Sequence, residues 1–73
     1  MKIFAERLKQ LRTEKGISTK TLSEAIGVSD STITRCEKNQ QNIKKAATIL
    51  KKLAKYFEVP TDYLLGLINE PYW

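Results

Sequence analysis

Apolar residues recur at intervals of three and four along most of this chain, and no stretch alternates over more than a few residues. Intervals of three and four match the period of an α-helix, whereas a half-buried strand requires alternation. Glycines and a proline divide the pattern into short segments. The sequence therefore predicts an all-α fold of five short helices.

Stop and cap residues mark the ends of the first three predicted helices. The first is predicted over about residues 3–15, with Gly16 as its left-handed stop. Ser18 and Ser29 carry side-chain oxygens that cap helix N-termini, so the next two helices are expected to begin after them, with Gly27 between. The residues expected to face the core are Phe4, Leu8, Leu11, Leu22, Ala25, Ile26, Ile33 and Cys36. Two short helices joined by a tight glycine turn have the outline of a helix-turn-helix, here about residues 18–38.

The fourth predicted helix, about residues 43–57, is strongly amphipathic. At 100° per residue its apolar positions cover one arc of about 120°, and its lysines cover an opposed arc. Pro60 disfavours helix at the preceding residue, and Thr61 is the expected cap of a last short helix that ends at Gly66. The apolar arc holds Ile43, Ala46, Ala47, Leu50, Leu53, Ala54 and Phe57.

The length of 73 residues fits one domain, residues 1–73. A chain this short buries only about 60% of its unfolded surface and needs efficient packing, a partner, a metal or disulfides. One cysteine and no histidine exclude an intrachain disulfide and a zinc site built from Cys and His. We therefore expect an apolar core, extended by self-association, with no metal and no cofactor.

The charge balance favours a polyanionic partner. Thirteen Lys and Arg against eight Asp and Glu give a formal charge of +5, and basic side chains that neutralise phosphates release condensed counterions. No stretch reaches the roughly 18 apolar residues of a membrane span. Charges interrupt the N-terminus, so it does not resemble a secretory signal. We expect a cytoplasmic protein that does not bind membranes.

Three segments together carry a family resemblance: RLKQLRTEKGIS (7–18), LSEAIGVSDSTITRCE (22–37) and LKKLAKYFEVPTDYLLG (50–66). They closely resemble the phage-repressor/Cro type of bacterial regulator, often called the xenobiotic-response-element family. The resemblance implies a compact five-helix bundle of the lambda-repressor-like DNA-binding type, with the helix-turn-helix at helices 2 and 3. It also implies a bacterial or phage-encoded regulator that acts as a dimer on a two-fold operator. Thr19, Ser23 and Asn39 depart from the Gln, Ala and Gly common at those positions.

The residues predicted to read bases lie on the outer face of the third helix, because Ile33 and Cys36 must face inward. They are also the family's base-reading positions: Asp30, Ser31, Thr34 and Arg35. An arginine there can donate two hydrogen bonds to guanine, and an aspartate can accept one from cytosine. The alternatives are a phosphate or Glu partner for Arg35, a favourable helix-dipole contact for Asp30, and plain solvated surface for the two hydroxyl residues.

Phosphate contacts are expected at the N-terminus of the second helix, because N–H groups there attract anions. Further contacts are expected around the third helix and the polar loop after it. The predicted set is Ser18, Thr19, Lys20, Ser29, Thr32, Lys38, Asn39, Gln40, Asn42, Lys44 and Lys45. Lys51, Lys52 and Lys55 are interpreted as a solvated basic face.

Two residues beside the predicted reading face have structural interpretations. The resemblance implies a salt bridge from Arg12 to Glu37 that holds the recognition helix at its angle. Cys36 is interpreted as a small core residue rather than a redox sensor, because its helical phase points inward.

The apolar tail, residues 67–73, either packs back on the bundle or forms an interface. We expect a homodimer contact through helix 5 and the tail, about residues 64–68. Two functions then compete: a sequence-specific repressor or Cro-like switch, and an antitoxin-like protein-interaction module that binds DNA secondarily. Antitoxins usually carry a partner-binding extension, and about seven residues follow Gly66. An enzyme is not expected, because histidine, a glycine-rich phosphate loop and room for a pocket are all lacking.

Overall fold

The computed structural model describes residues 2–39 and 47–72, and it confirms the all-α prediction. Across these residues there are five helices and no strand: α1 Lys2–Lys15, α2 Thr19–Ile26, α3 Asp30–Glu37, α4 Ala47–Phe57 and α5 Thr61–Leu64. α1 packs against both α3 and α5, while α2 packs against α3 and α4. α1 is therefore in contact with both the second helix of the α2–α3 pair and the last helix.

Side chains from all five helices form one apolar core. Its fully buried large side chains are Phe4, Leu8, Leu22, Ile33, Leu53 and Leu64, with Cys36 beside them. Burying one such aliphatic or aromatic side chain stabilises the fold by about 1.5–3 kcal/mol. Half-buried side chains such as Leu11, Ile17 and Ile26 pack around this core.

Local sequence signals set the boundary between the first two helices. Gly16 adopts φ 73°, and its N–H donates to the carbonyl of Arg12 at 3.0 Å, which closes α1. Ser18 then accepts a hydrogen bond from the N–H of Thr21 at 3.0 Å. The predicted stop and the predicted cap are both confirmed.

Two alanines do not lie where the sequence pattern placed them. Ala25 and Ala47 were expected in the core, and both are exposed. Ala25 lies about 110° from the centre of the inward arc of α2, which falls between Leu22 and Ser23, so its methyl group faces away from the core. Ala47 is the first described residue of α4; Ile43 and Ala46 lie outside the described residues.

The start of α5 also differs from the prediction. Pro60 occupies the N-cap position with φ −64° and ψ 147°, and no side chain caps this helix. Thr61, the predicted cap, is instead its first residue. The restricted φ of proline already fixes the entry into the helix, and the N–H of Tyr63 donates to the carbonyl of Pro60 at 3.1 Å.

The end of α4 contains an unusual backbone conformation. Glu58 has φ 55°, in the left-handed region that residues with a Cβ rarely adopt. The N–H of the next residue, Val59, donates to the carbonyl of Ala54 at 3.0 Å, which reverses the chain toward α5. None of the helices within residues 2–39 and 47–72 is long and apolar enough to cross a bilayer.

Candidate nucleic-acid interface

The turn between α2 and α3 is fixed by three consecutive residues. Gly27 adopts φ 76°, and the N–H groups of Gly27 and Val28 both donate to the carbonyl of Ser23, at 2.9 and 3.0 Å. Ser29 is extended and accepts a hydrogen bond from the N–H of Thr32 at 3.2 Å. Each residue thus has a defined local role, and the two helices are joined rigidly.

The helix α3 has a buried side and an opposed outer side. Ile33 and Cys36 are 0% and 1% exposed, so they attach the helix to the core. At about 100° per residue, the positions 30, 31, 34 and 35 cover the opposite arc. Of the four predicted base-reading residues, Asp30, Ser31 and Arg35 are exposed and Thr34 is half-buried.

Hydroxyl groups cluster at the N-terminus of α3. The Oγ of Ser29 lies 2.7 Å from the Oγ1 of Thr32 and 3.1 Å from the Oγ of Ser31. Two residues predicted to bind phosphate therefore adjoin one predicted to read a base. The cap orients all three hydroxyls at the solvent-facing start of the helix.

The N-terminus of α2 has the geometry expected of an anion site. The hydroxyl of Ser18 donates to the Oγ1 of Thr21 at 3.0 Å while it accepts the N–H of the same residue. First-turn N–H groups lack intrahelical acceptors, and in α2 they belong to Thr19 and Lys20. Thr19 is half-buried and Lys20 is exposed, so the lysine side chain is free to reach a phosphate beside this terminus.

The remaining predicted phosphate ligands follow α3. Lys38 is exposed at the C-cap of α3. Asn39 is exposed and has φ 60°, a conformation that asparagine tolerates better than most residues. The other four predicted ligands lie outside the described residues: Gln40, Asn42, Lys44 and Lys45.

Arg12 and Glu37 form an ion pair between α1 and the end of α3. The Arg12 Nε lies 2.6 Å from one Glu37 carboxylate oxygen, and its Nη2 donates to the other at 3.2 Å. Its Nη1 donates to the carbonyl of Ile17 at 2.7 Å. The hydrogen bond to Glu37 raises the pKa of Arg12. One guanidinium thus joins α1, the α1–α2 connection and the C-terminus of α3.

The Cys36 thiol is a poor candidate for redox chemistry. Burial, and then the negative charge of Glu37, raise the pKa of Cys36. The thiolate, not the thiol, is the reactive form, so this side chain stays protonated and unreactive at neutral pH. Its burial in the same apolar cluster as Ile33 accords with a packing role.

Arg7 makes long-range contacts that the sequence pattern did not predict. Its guanidinium lies over the ring of Tyr63, 4.3 Å from the centroid, and donates to carbonyls near the C-terminus. The available signal was its place on α1, three residues after Phe4 and one before Leu8, within the inward-facing stripe.

Comparison with known proteins agrees with this geometry. The family described as "Helix-turn-helix domain" matches residues 5–70, which includes all five helices apart from the first turn of α1. No solved structure matches the chain significantly.

Similar proteins occur in Bacillus subtilis (strain 168). The chain is 37% identical to the HTH-type transcriptional repressor RghR, over 96% of this chain and 53% of that protein. It is 32% identical to the HTH-type transcriptional regulator YobD, over 94% of this chain and 60% of that protein. For the regulator RghRB the identity is 34%, over 90% and 47%. The chain thus spans about half the length of these relatives.

Proposed function

The chain belongs to the helix-turn-helix domain family, and from that premise we propose that it binds duplex DNA sequence-specifically and regulates transcription as a repressor or Cro-like switch. In this motif the second helix lies in the major groove, and here that helix is α3. The observation that carries the proposal is the division of α3 between Ile33 and Cys36, buried in the core, and an outer face of polar side chains. The names of the Bacillus subtilis relatives support the regulatory role, and their organism supports a bacterial origin. We propose a cytoplasmic location.

Four side chains on that face read the bases under this proposal. Arg35 donates two hydrogen bonds to guanine O6 and N7, a contact worth about 1–3 kcal/mol of discrimination. Asp30 accepts from cytosine N4, and the Ser31 hydroxyl and the Thr34 methyl and hydroxyl make adaptable contacts. The exposure of Asp30, Ser31 and Arg35 supports this assignment.

The phosphate contacts position the protein without reading sequence. We assign them to the start of α2 with Ser18, Thr19 and Lys20, and to the hydroxyls of Ser29 and Thr32. After α3 in the sequence they comprise Lys38, Asn39, Gln40, Asn42, Lys44 and Lys45. The N-terminus of α2 with the exposed Lys20, and the exposed Lys38 at the end of α3, suit the phosphate strands that border one groove.

The proposed active form is a homodimer built on α5 and the segment after it. An open groove of about 820 Å³ runs along this side, lined in part by Val59, Pro60, Ile68 and Tyr72. Exposed charges of both signs border it, namely Lys55, Glu58 and Asp62. In a two-fold contact each patch meets its own copy, and a patch with both signs of charge can pair with itself. A dimer also brings two recognition helices to a two-fold operator.

Selection from random duplexes, followed by footprinting, tests the proposed function. We expect enrichment of a two-fold sequence with one recognition helix per half-site. A failure to enrich any sequence would contradict the proposal and favour an interaction module that binds DNA secondarily. In the selected operator, Arg35→Ala should relax the preference at one base pair per half-site, while Lys9→Ala, on the exposed face of α1, should leave the preference unchanged.

A further inference from the structure

The Arg7 side chain connects α1 to the C-terminal segment, which we define as residues 66–72. Its Nη1 donates to the carbonyl of Tyr63 and, at 2.7 Å, to the carbonyl of Ile68. Its Nη2 lies 3.4 Å from Oδ1 of Asn69. Its guanidinium stacks on the Tyr63 ring, 4.3 Å from the centroid. A single side chain therefore holds both α5 and the chain beyond it, across 56–62 positions of sequence.

These contacts require the shape of arginine. A guanidinium is planar and presents five N–H donors, so it stacks on a ring while it donates in several directions within its plane. A lysine ammonium keeps the charge but is a point donor that cannot reproduce the stacked, forked arrangement.

A second contact fixes the same segment. Ile3 lies one helical turn before Arg7 on α1, and its Cγ2 would lie only 2.8 Å from a Cβ built on Gly66. The N–H of Leu67 donates to the carbonyl of Asp62 at 2.9 Å. Between Gly66 and Asn69 the chain is thus held by contacts with both α1 and α5.

Two large apolar side chains of the segment are exposed, one within the held stretch and one three residues beyond it. Ile68 packs against the core, whereas Leu67 is 71% and Tyr72 is 65% exposed. They are the exposed large hydrophobic residues of the described chain, and both belong to the segment. A binding surface ordered before association loses less conformational entropy on binding.

We propose that Arg7 is a positioning residue for self-association: it holds the C-terminal segment so that Leu67 and Tyr72 are presented to a second copy of the chain. This inference rests on the homodimer of the proposed function. It adds that the dimer surface is set by α1, through a residue that does not itself contact the partner.

The experiment compares Arg7→Lys and Arg7→Gln with Lys9→Gln, which removes a charge from an exposed position of the same helix. Sedimentation equilibrium measures the dimer Kd, and ¹⁵N heteronuclear NOEs report the order of residues 66–72. We expect both Arg7 variants to raise Kd about tenfold and to lower the NOEs of the segment. The amide shifts of α2 and α3 should stay unchanged, and Lys9→Gln should match the wild type.

If Arg7 only stabilised the fold, its substitution would lower stability but would not change the effect of substituting the exposed apolar residues. We therefore combine Arg7→Lys with Leu67→Ala in a double-mutant cycle. If Arg7 acts through the segment, the changes in the free energy of dimerisation, RT ln Kd, will be non-additive; additive changes would overturn the inference. Asn69→Ala removes one exposed hydrogen bond without altering the core, and we expect it to raise Kd about two- to fivefold even if the Arg7 variants fold poorly.

The outcomes separate this inference from the function on which it rests. A wild-type chain that stays monomeric at all concentrations overturns both the homodimer and the positioning role. A wild-type dimer whose Kd is unchanged in Arg7→Lys and Asn69→Ala overturns the positioning role alone.

Discussion

Gly66 and Gly16 adopt nearly the same backbone conformation in very different surroundings. Their φ angles are 81° and 73°. A Cβ on Gly66 would lie 2.8 Å from the side chain of Ile3, whereas a Cβ on Gly16 would meet nothing within 4 Å. The two positions therefore separate the cost of the left-handed conformation from the cost of a close approach.

We expect Gly66→Ala to destabilise the fold more than Gly16→Ala. The left-handed conformation alone costs a residue with a Cβ about 1–2 kcal/mol, and both variants lose that amount. Gly66→Ala must also displace Ile3, which is part of the contact between α1 and the segment. Urea unfolding measures both free energies. Equal losses would show that Ile3 moves aside without cost.

At Glu58 the same conformation is adopted by a residue that has a Cβ, with φ 55°. Glu58→Gly should relieve the strain, but it also adds conformational freedom to the unfolded chain. We expect the net gain in the free energy of unfolding to be about 0.5–1 kcal/mol. Glu58→Ala is the matched control, because it removes the charge and keeps the strain. Thermal unfolding should show a higher Tm for the glycine variant only, and a similar rise in the alanine variant would assign the effect to charge.

At the scale of elements, the Arg12–Glu37 pair links α1 to α3, the proposed recognition helix. Glu37 is only 9% exposed and Arg12 18%, so removing the arginine leaves a largely buried carboxylate without its partner. We expect Arg12→Ala to lower stability by about 1.5–3 kcal/mol, the range for hydrogen bonds to charged groups. Arg12→Lys should recover only part of this, because lysine lacks the fork that reaches both Glu37 and the carbonyl of Ile17.

Operator affinity tests whether the Arg12–Glu37 pair fixes the angle of α3 or contributes only to the stability of the fold. In Arg12→Lys we expect weaker operator binding under conditions where the variant is fully folded, because α3 loses its fixed angle. Leu11→Ala, which reduces packing on the same helix, is the control for stability alone. The positional effect is absent if both variants bind the operator as tightly as the wild type.

The elements that the sequence predicted correctly are those whose ends depend on neighbouring residues. The capping and turn residues Ser18, Gly27 and Ser29 act on backbone groups within three or four positions. Their roles can therefore be predicted from a short window of sequence. The start of α5 was predicted wrongly because proline fixes a helix entry without a side-chain cap. The contact of Arg7 with Tyr63 joins residues 56 positions apart, and helical periodicity carries no information about such a partner. The four outward positions of α3 followed from phase, and their contacts with bases stay a prediction.

At the scale of the whole molecule, the net charge of +5 should make DNA binding strongly salt-dependent. Each neutralised phosphate contributes about −0.9 to the slope of log K against log [salt]. Lys20→Ala should weaken binding to all sequences alike and reduce the slope by about one per protomer. Lys9→Ala removes the same charge from the outer face of α1, and it should leave the slope almost unchanged. Equal changes in both variants would assign the salt dependence to net charge rather than to a located contact.

The helix α3 buries few of its side chains, and this has an evolutionary consequence. Only Ile33 and Cys36 of its eight residues are buried, and the Arg12 ion pair holds its end. Mutations at Asp30, Ser31 and Arg35 can accordingly accumulate with little loss of fold stability. Under the proposed function, a duplicated copy of this gene is free to diverge toward a new operator through a series of folded intermediates, each altered at only a few codons.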